Sequence, residues 1–348
     1  MFSRFRIRNF RGFDDLSVDR LSRINLVTGR NNSGKTTLLE AVFMLSSAGD
    51  PQAALKANVI RGVDLAAAPA VAETFWKPLF TALDMNKTVE IAGQHKSLGS
   101  LSLSISLERS GTVELPFEDP NGAPMPRHAG ANGLLLTFKK ASAPEVEGRM
   151  RLSPNGIQIE SADSQPPFQS MLLSSRAGSH HDDATRLGQL RTRKQGDLVL
   201  DALATVEARL KSVEDNTASG SPMIWGDIGL PELVPLPLMG EGMTRIARII
   251  LAISATPDGV VLIDEIENGL HHAALGKVWQ SIETAANQFN TQVIASTHSF
   301  ECVEAAYRSL DNSSFLVHRL EEVDDRIRCV SYEPEEIEAA VSHSLEVR

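Results

Sequence analysis

Polar and apolar positions alternate at the start of the chain. Arg4, Arg6 and Arg8 fall on one side and Phe5 and Ile7 on the other, which is the period of a strand. Ile24-Asn25-Leu26-Val27 predicts a short buried strand running into Gly29. Leu38, Ala41, Val42 and Leu45 then share one face and predict a helix over residues 37–46. Leu65 to Leu83 is Ala-rich and reads as helix, interrupted at Pro69 and Pro78. From Ser100 to Leu107, Leu101, Leu103, Ile105 and Leu107 alternate with serines, the pattern of a half-buried antiparallel strand. Leu134 to Phe138 and Gly156 to Glu160 continue the strand signal, with a Pro- and Gly-rich loop at 116–133. Together they predict an antiparallel β lobe over about 84–162.

Val199, Leu203, Val206, Leu210 and Val213 are spaced four and three apart. This predicts a core-facing helix of about two heptads, too short for a long coiled coil. A helical lobe is expected over about 180–256. Met243 to Ile253 reads as helix, Val260 to Ile263 as a fully apolar strand, Leu270 to Ala286 as helix and Gln292 to Ala295 as strand. Phe315 to Tyr332 predicts a hairpin turning near Asp324-Asp325, and Glu335 to Leu345 a closing helix. Alternating strands and helices predict an α/β fold with a mostly parallel core sheet.

Composition narrows the class. The chain has 348 residues, 42% hydrophobic and 22% charged, which is ordinary globular usage. Cys302 and Cys329 cannot make a disulfide framework and lean towards a reducing, cytoplasmic compartment. No apolar stretch is long enough for a membrane span, and the first residues carry no apolar leader. The net charge of −10 argues against a uniformly basic coat for nucleic acid. Two local basic runs remain: Arg4, Arg6, Arg8 and Arg11, and Arg186, Arg191, Arg193 and Lys194. The second reads better as a solvated edge. His180-His181-Asp182-Asp183 are adjacent residues, a poor arrangement for chelating one ion.

The chemistry lies at strand ends. Gly29-Arg30-Asn31-Asn32-Ser33-Gly34-Lys35-Thr36-Thr37 matches a phosphate-binding loop, with a strand before it and a helix after it. Glycines let backbone N–H groups turn towards phosphate, and the helix N-terminus favours the anion. Lys35 supplies a point charge to the β/γ-phosphates, and Thr36 a hydroxyl for Mg²⁺. Asp264 and Glu265 follow a buried strand; Asp264 would hold Mg²⁺ through water, and Glu265 would orient or deprotonate an attacking water. Asp264 could alternatively be a helix N-cap. His298 follows the next strand, where a neutral imidazole could donate to the γ-phosphate. Gly240-Glu241-Gly242 opens a helix before Asp264, a second anion-type terminus best used on a partner copy's nucleotide. A GTPase base reader is missing, since Asn86-Lys87-Thr88-Val89 lacks the acid.

Phe5-x-Ile7-x-Asn9-Phe10-Arg11-Gly12-Phe13, Ile24 to Glu40, Ile263 to His272 and Ala295 to Ser299 together resemble the ABC-type P-loop ATPases of the RecF/SMC/OLD group. The resemblance implies an ABC-ATPase head as one domain over 1–348, with Walker A at 29–37 and a Walker B to switch-histidine core over about 257–348. It implies Asp264 as Walker B, Glu265 as catalytic glutamate, Asn268 to His271 as D-loop and His298 as switch histidine. Gly240-Glu241-Gly242-Met243 would be the signature, with Gly240 where a serine usually sits. Gln158, Gln165 and Gln169 are all open as the Q-loop residue, and Arg11 is a candidate adenine contact. ATP, Mg²⁺ and a homodimer follow from the resemblance, with DNA and an effector protein such as a nuclease in trans as further partners. Only fifty residues follow His298, too few for the Toprim nuclease of full-length OLD proteins. Two other readings are a nucleotide-gated scaffold with negligible turnover and a transporter ATPase subunit.

Overall fold

Two large sheets share one helix between them. The computed structural model describes residues 1–61, 76–108, 133–141, 143–153, 156–160, 165–174, 178–217 and 220–342. The chain opens with the antiparallel pair β1 (Phe2–Phe10) and β2 (Phe13–Val18), in which Phe5 faces Val18. Next come β3 (Ile24–Gly29), α1 (Lys35–Ser46) and α2 (Gln52–Ile60). A meander follows: β4 (Val89–His95), β5 (Gly99–Glu108), β6 (Gly133–Lys140), β7 (Val146–Ser153) and β8 (Gly156–Glu160). Then come β9 (Ser170–Leu173), α3 (His180–Thr192) and α4 (Asp197–Ala204). Three short strands, β10 (Ser212–Asn216), β11 (Met223–Asp227) and β12 (Val234–Pro235), lead into α5 (Glu241–Ala255). The last part runs β13 (Val260–Ile263), α6 (Leu275–Gln288), β14 (Gln292–Ser296), α7 (Phe300–Ser309), β15 (Phe315–Val323), β16 (Arg326–Tyr332) and α8 (Pro334–Ser342).

The core sheet has the order β16-β15-β3-β14-β13-β9. Every pairing in it is parallel except the β15–β16 hairpin. Its strands divide their side chains between two cores. Ile24, Leu26, Val261 and Ile263 join the core built with α3 to α7. Val27, Val260, Leu262 and Ile294 join α1 and the antiparallel sheet. Burial on both faces explains why Val260-Val261-Leu262-Ile263 shows no alternation. The antiparallel sheet has the order β2-β1-β4-β5-β6-β7-β8. Gln292 fastens it to the core: its side chain accepts from Phe2 N at 2.8 Å and donates to Phe2 O at 2.9 Å.

The expected α/β head architecture is present, with local differences. The N-terminal strands are part of the antiparallel sheet, so that lobe is not confined to 84–162. The stripe from Val199 to Val213 is not one helix. α4 ends at Ala204, and Val213 is buried instead through β10, which pairs with β11. Val206 is left 42% exposed. Ladder pairing overrode the helical spacing, and the helical lobe therefore contains a small sheet. Of the helix expected over Leu65 to Leu83, residues 65–75 lie outside the described residues; Lys77–Leu79 and Thr81–Leu83 are 3₁₀ turns. The loop expected at 116–133 also lies almost wholly outside them. The helix expected from Leu270 begins at Leu275, after a 3₁₀ turn at His272–Ala274. No helix among the described residues is long and apolar enough to cross a membrane.

Candidate nucleotide site

The C-terminal ends of four core strands meet. Gly29 ends β3, Asp264 follows β13, Ser296 ends β14 and Ser174 follows β9. Ligands of open α/β sheets bind at this edge, because loops and helix N-termini open there.

The loop from Gly29 to Thr37 is shaped by two glycines. At Gly29 φ is +139°, and a Cβ would meet Leu320 O at 2.4 Å. At Gly34 φ is +94°, and a Cβ would meet the Phe13 ring at 2.6 Å. No larger residue fits either position. Arg30, Asn31 and Asn32 are exposed, and Ser33 is buried with its hydroxyl unpartnered. Helix α1 starts without a side-chain cap and without an acid in its first turn, which leaves its N–H groups for an anion. Lys35 Nζ donates to Gly29 O at 2.7 Å and Arg30 O at 2.9 Å. Burial lowers its pKa, against the opposing pull of Asp264, Glu265 and Glu267.

Asp264 is buried beside the loop. Thr36 Oγ1 donates towards its two carboxylate oxygens at 3.1 Å each, and Ser296 Oγ donates to Oδ1 at 2.6 Å. This all-oxygen donor set suits Mg²⁺. Glu265 sits at φ +48°, a left-handed conformation uncommon outside glycine. Its N–H donates to Ser296 Oγ at 2.9 Å, and Asn268 Nδ2 donates to its Oε2 at 2.9 Å. His298 is half exposed, with Nδ1 3.0 Å from Glu267 Oε1. The same oxygen accepts from His298 N at 2.9 Å. Glu267 is thus a site residue that the sequence reading passed over; its only signal was a third acid two residues after Glu265. An unprotonated Nδ1 would set a lone pair against that carboxylate oxygen, so the proton belongs on Nδ1. The neutral ring therefore presents an acceptor at Nε2, and only the imidazolium can donate to phosphate from there.

Arg245, on α5, was also unassigned from sequence. It is buried and donates to Ser174 O at 2.9 Å, Asp264 O at 2.5 Å and Glu265 O at 3.2 Å. Burial lowers its pKa and Arg248 adds to that, while Asp264, Glu267 and Glu265 oppose it. Nothing in the spacing of 240–245 separates it from a surface arginine.

Other candidates lie elsewhere. Arg11 does not reach the open edge. Its side chain is 8% exposed, 2.9 Å from the buried Glu40 carboxylate, and it donates to Asn58 Oδ1 and Pro78 O. Burial pushes its pKa down to about 10, with Glu40 opposing. Arg61 shares Glu40 and also donates to Thr37 Oγ1 at 3.0 Å. Gly240-Glu241-Gly242 begins α5 and packs on its own chain's Gly269: a Cβ at Gly242 would meet Gly269 O at 2.6 Å. Gln158 is on β8, and Gln165 and Gln169 precede β9, so none of the three stands at the C-terminal edge. Gln165 and Gln169 line a separate cleft of about 750 Å³ bounded by α1, α2 and α3. His271 and His272 are exposed, so neither is a core residue. Both basic runs carry acid partners: Arg6 and Arg8 on Asp15, Arg186 on Asp183 and Arg191 on Asp215.

Comparison with known proteins fits this geometry. Residues 1–99 match the family model described as "AAA ATPase domain". Residues 137–304 match one described as "AAA domain, putative AbiEii toxin, Type IV TA system". A Helicobacter pylori protein named "ATP/GTP phosphatase" is 24% identical over 327 residues, covering 87% of each chain. Among solved structures, the SmcHead bound to the C-winged helix domain of ScpA aligns over 97% of this chain and 99% of that one, with TM-score 0.53 and 13% identity. The Smc head derived from Pyrococcus furiosus, bound to the C-terminal domain of ScpA, aligns over 99% of both chains with TM-score 0.50 and 11% identity. The chain therefore has an α/β P-loop fold resembling that of SMC heads, and two segments of it are similar to AAA ATPase domains.

Proposed function

We propose that this chain binds ATP with Mg²⁺ and hydrolyses it to ADP and phosphate, as a switch that two copies form by closing over two nucleotides. The observation that carries this reading is the meeting of Lys35 and Thr36 with Asp264 and with a Glu265 held by its own loop. Thr36 and Asp264 would hold the ion, which when bound neutralises charge on the β- and γ-phosphates. Lys35 adds a second cation. Backbone N–H groups of 29–34 and the α1 terminus cradle the phosphates. Glu265 accepts a proton from the attacking water and orients it in line with the γ-phosphate. His298, backed by Glu267 at Nδ1, faces the γ-phosphate with Nε2.

The Helicobacter pylori relative's name supports nucleotide hydrolysis as the reaction class. The start of α5 supports closure by a second copy, since among the described residues nothing lies within 4 Å of a Cβ at Gly240. The switch then acts on an effector protein such as a nuclease in trans, a reading supported by SMC heads that carry a bound partner. One observation favours the scaffold alternative: Glu241 puts an acid in the first turn of α5, where a partner's phosphate would lie. Steady-state phosphate release from Mg·ATP, with and without double-stranded DNA, separates the two. Turnover that Lys35→Ala abolishes supports the ATPase, and binding without turnover supports the scaffold.

A further inference from the structure

Glu265 is held in an unusual backbone conformation from three sides. Its N–H is bonded to Ser296, its side chain to Asn268, and its carbonyl to Arg245. Left-handed backbone at a non-glycine residue is strained and persists only where neighbours over-determine it. Ser296 comes from β14 and Arg245 from α5, so two of the three neighbours belong to other elements. Arg245 is 6% exposed, and its guanidinium donates to three carbonyls and, among the described residues, to no carboxylate. A buried cation on neutral acceptors is an expensive way to stabilise a fold. The three carbonyls belong to the residues that end β9 and β13 at the site, so the cation closes both strand ends at once.

Arg245 also lies one turn into the helix whose first residues are Glu241 and Gly242. That turn is in close contact with the loop after Glu265, through Gly242 on Gly269 O and Glu241 on Gly269. The N-terminus of α5 and the segment Asp264 to Gly269 are therefore held together at two points, one of them the Arg245 guanidinium on backbone carbonyls.

We propose that Arg245 is a positioning residue: it holds the Glu265 peptide in its working conformation and ties it to the Gly240–Gly242 segment. This rests on Glu265 acting as the base. Whatever presses on the start of α5, such as a second copy's nucleotide, reaches Glu265 through this guanidinium.

The test uses the full chain. Arg245→Lys keeps the charge but cannot span three carbonyls, and Arg245→Gln keeps a donor without the charge. Both should lower kcat for ATP by ~10–100-fold, the scale of a small misplacement of a catalytic group. ATP affinity should change by less than ~3-fold, because Arg245 touches none of residues 29–37. In a Glu265→Gln background, Arg245→Lys should cause no further loss, since it acts through that side chain. Losses that multiply in the double variant, or a wild-type kcat in both single variants, would overturn the proposal. Amide hydrogen exchange over residues 262–270 gives a readout that needs no turnover. Faster exchange confined to that segment in Arg245→Lys supports the role, and unchanged exchange rejects it. If the wild-type chain hydrolyses no ATP, the ATPase reading falls by itself, and exchange alone decides Arg245.

Discussion

Helices α1 and α5 both begin at a glycine with positive φ and no side-chain cap, yet their surroundings are opposite. Gly34 is pressed on Phe13, and the first turn of α1 carries Lys35 and no acid. Gly240 has φ +124° and nothing within 4 Å of a Cβ, and the first turn of α5 carries Glu241. Leu238, just before it, is 77% exposed. The first terminus is completed within the chain as an anion site. The second is fixed in shape against Gly269, and at Gly240 it faces open space among the described residues. On the proposed reading, one chain thus holds a phosphate cradle and half of a lid for another copy.

The largest effects should fall on α1. Lys35→Ala should weaken ATP binding by ~100-fold or more, read by equilibrium titration, because it removes the cation and loosens the loop carbonyls it holds. Gly240→Ala should leave ATP binding by the single chain unchanged and weaken ATP-dependent association ~10-fold. The space is open, but the φ is strained for an L residue by about 1–3 kcal/mol. Equal damage to binding and association would erase the contrast between the two termini. Glu241→Gln should act in the opposite direction and tighten ATP-dependent association ~2–5-fold, since removing an acid near a helix N-terminus favours a phosphate there. Analytical ultracentrifugation with ATP and without it reads both variants.

A smaller effect tests the core sheet that carries α1. His318 on β15 is buried between Ser331 Oγ at 2.8 Å and Asn25 Oδ1 at 3.3 Å. Burial lowers its pKa from 6.5 to about 4. The unfolded chain takes up a proton near 6.5 and the folded chain does not until about 4. Stability is therefore full above the upper value and falls as pH drops through that window, by at most ~1.4 kcal/mol per pH unit. His318→Gln should flatten this part of the acid unfolding curve. An unchanged curve would mean that the imidazole is not held neutral.

Much of the site was legible because it depends on residue type in a fixed local order. Gly29 to Thr37 needs glycine, lysine and hydroxyl at set positions between a strand and a helix, and Asp264-Glu265 needs only an apolar strand before it. Strands β3, β13 and β14 followed from apolar runs that burial on both faces leaves without alternation, whereas the edge strand β9 was not read. Arg245 and Glu267 were illegible for a different reason. Their roles are set by what lies opposite them, Ser174 some 71 residues away for one and His298 31 away for the other. Arg11 failed in the same way. It lies in the turn after β1 rather than on the strand, and Glu40 and Asn58 take its guanidinium inward. The helix drawn through Val213 failed because spacing of four and three is also compatible with a short helix, a turn and a strand. Only the partner strand Met223–Asp227 decides between them.

The central claim is that Glu265 deprotonates or orients the attacking water at a site built from Lys35, Thr36 and Asp264. Phosphate release from Mg·ATP by wild-type chain and by Glu265→Gln, at equal measured nucleotide occupancy, tests it most directly. The account predicts that the variant binds ATP as well as wild type, turns over at least ~100-fold more slowly and accumulates as an ATP-bound dimer. Release at the wild-type rate by Glu265→Gln would contradict it.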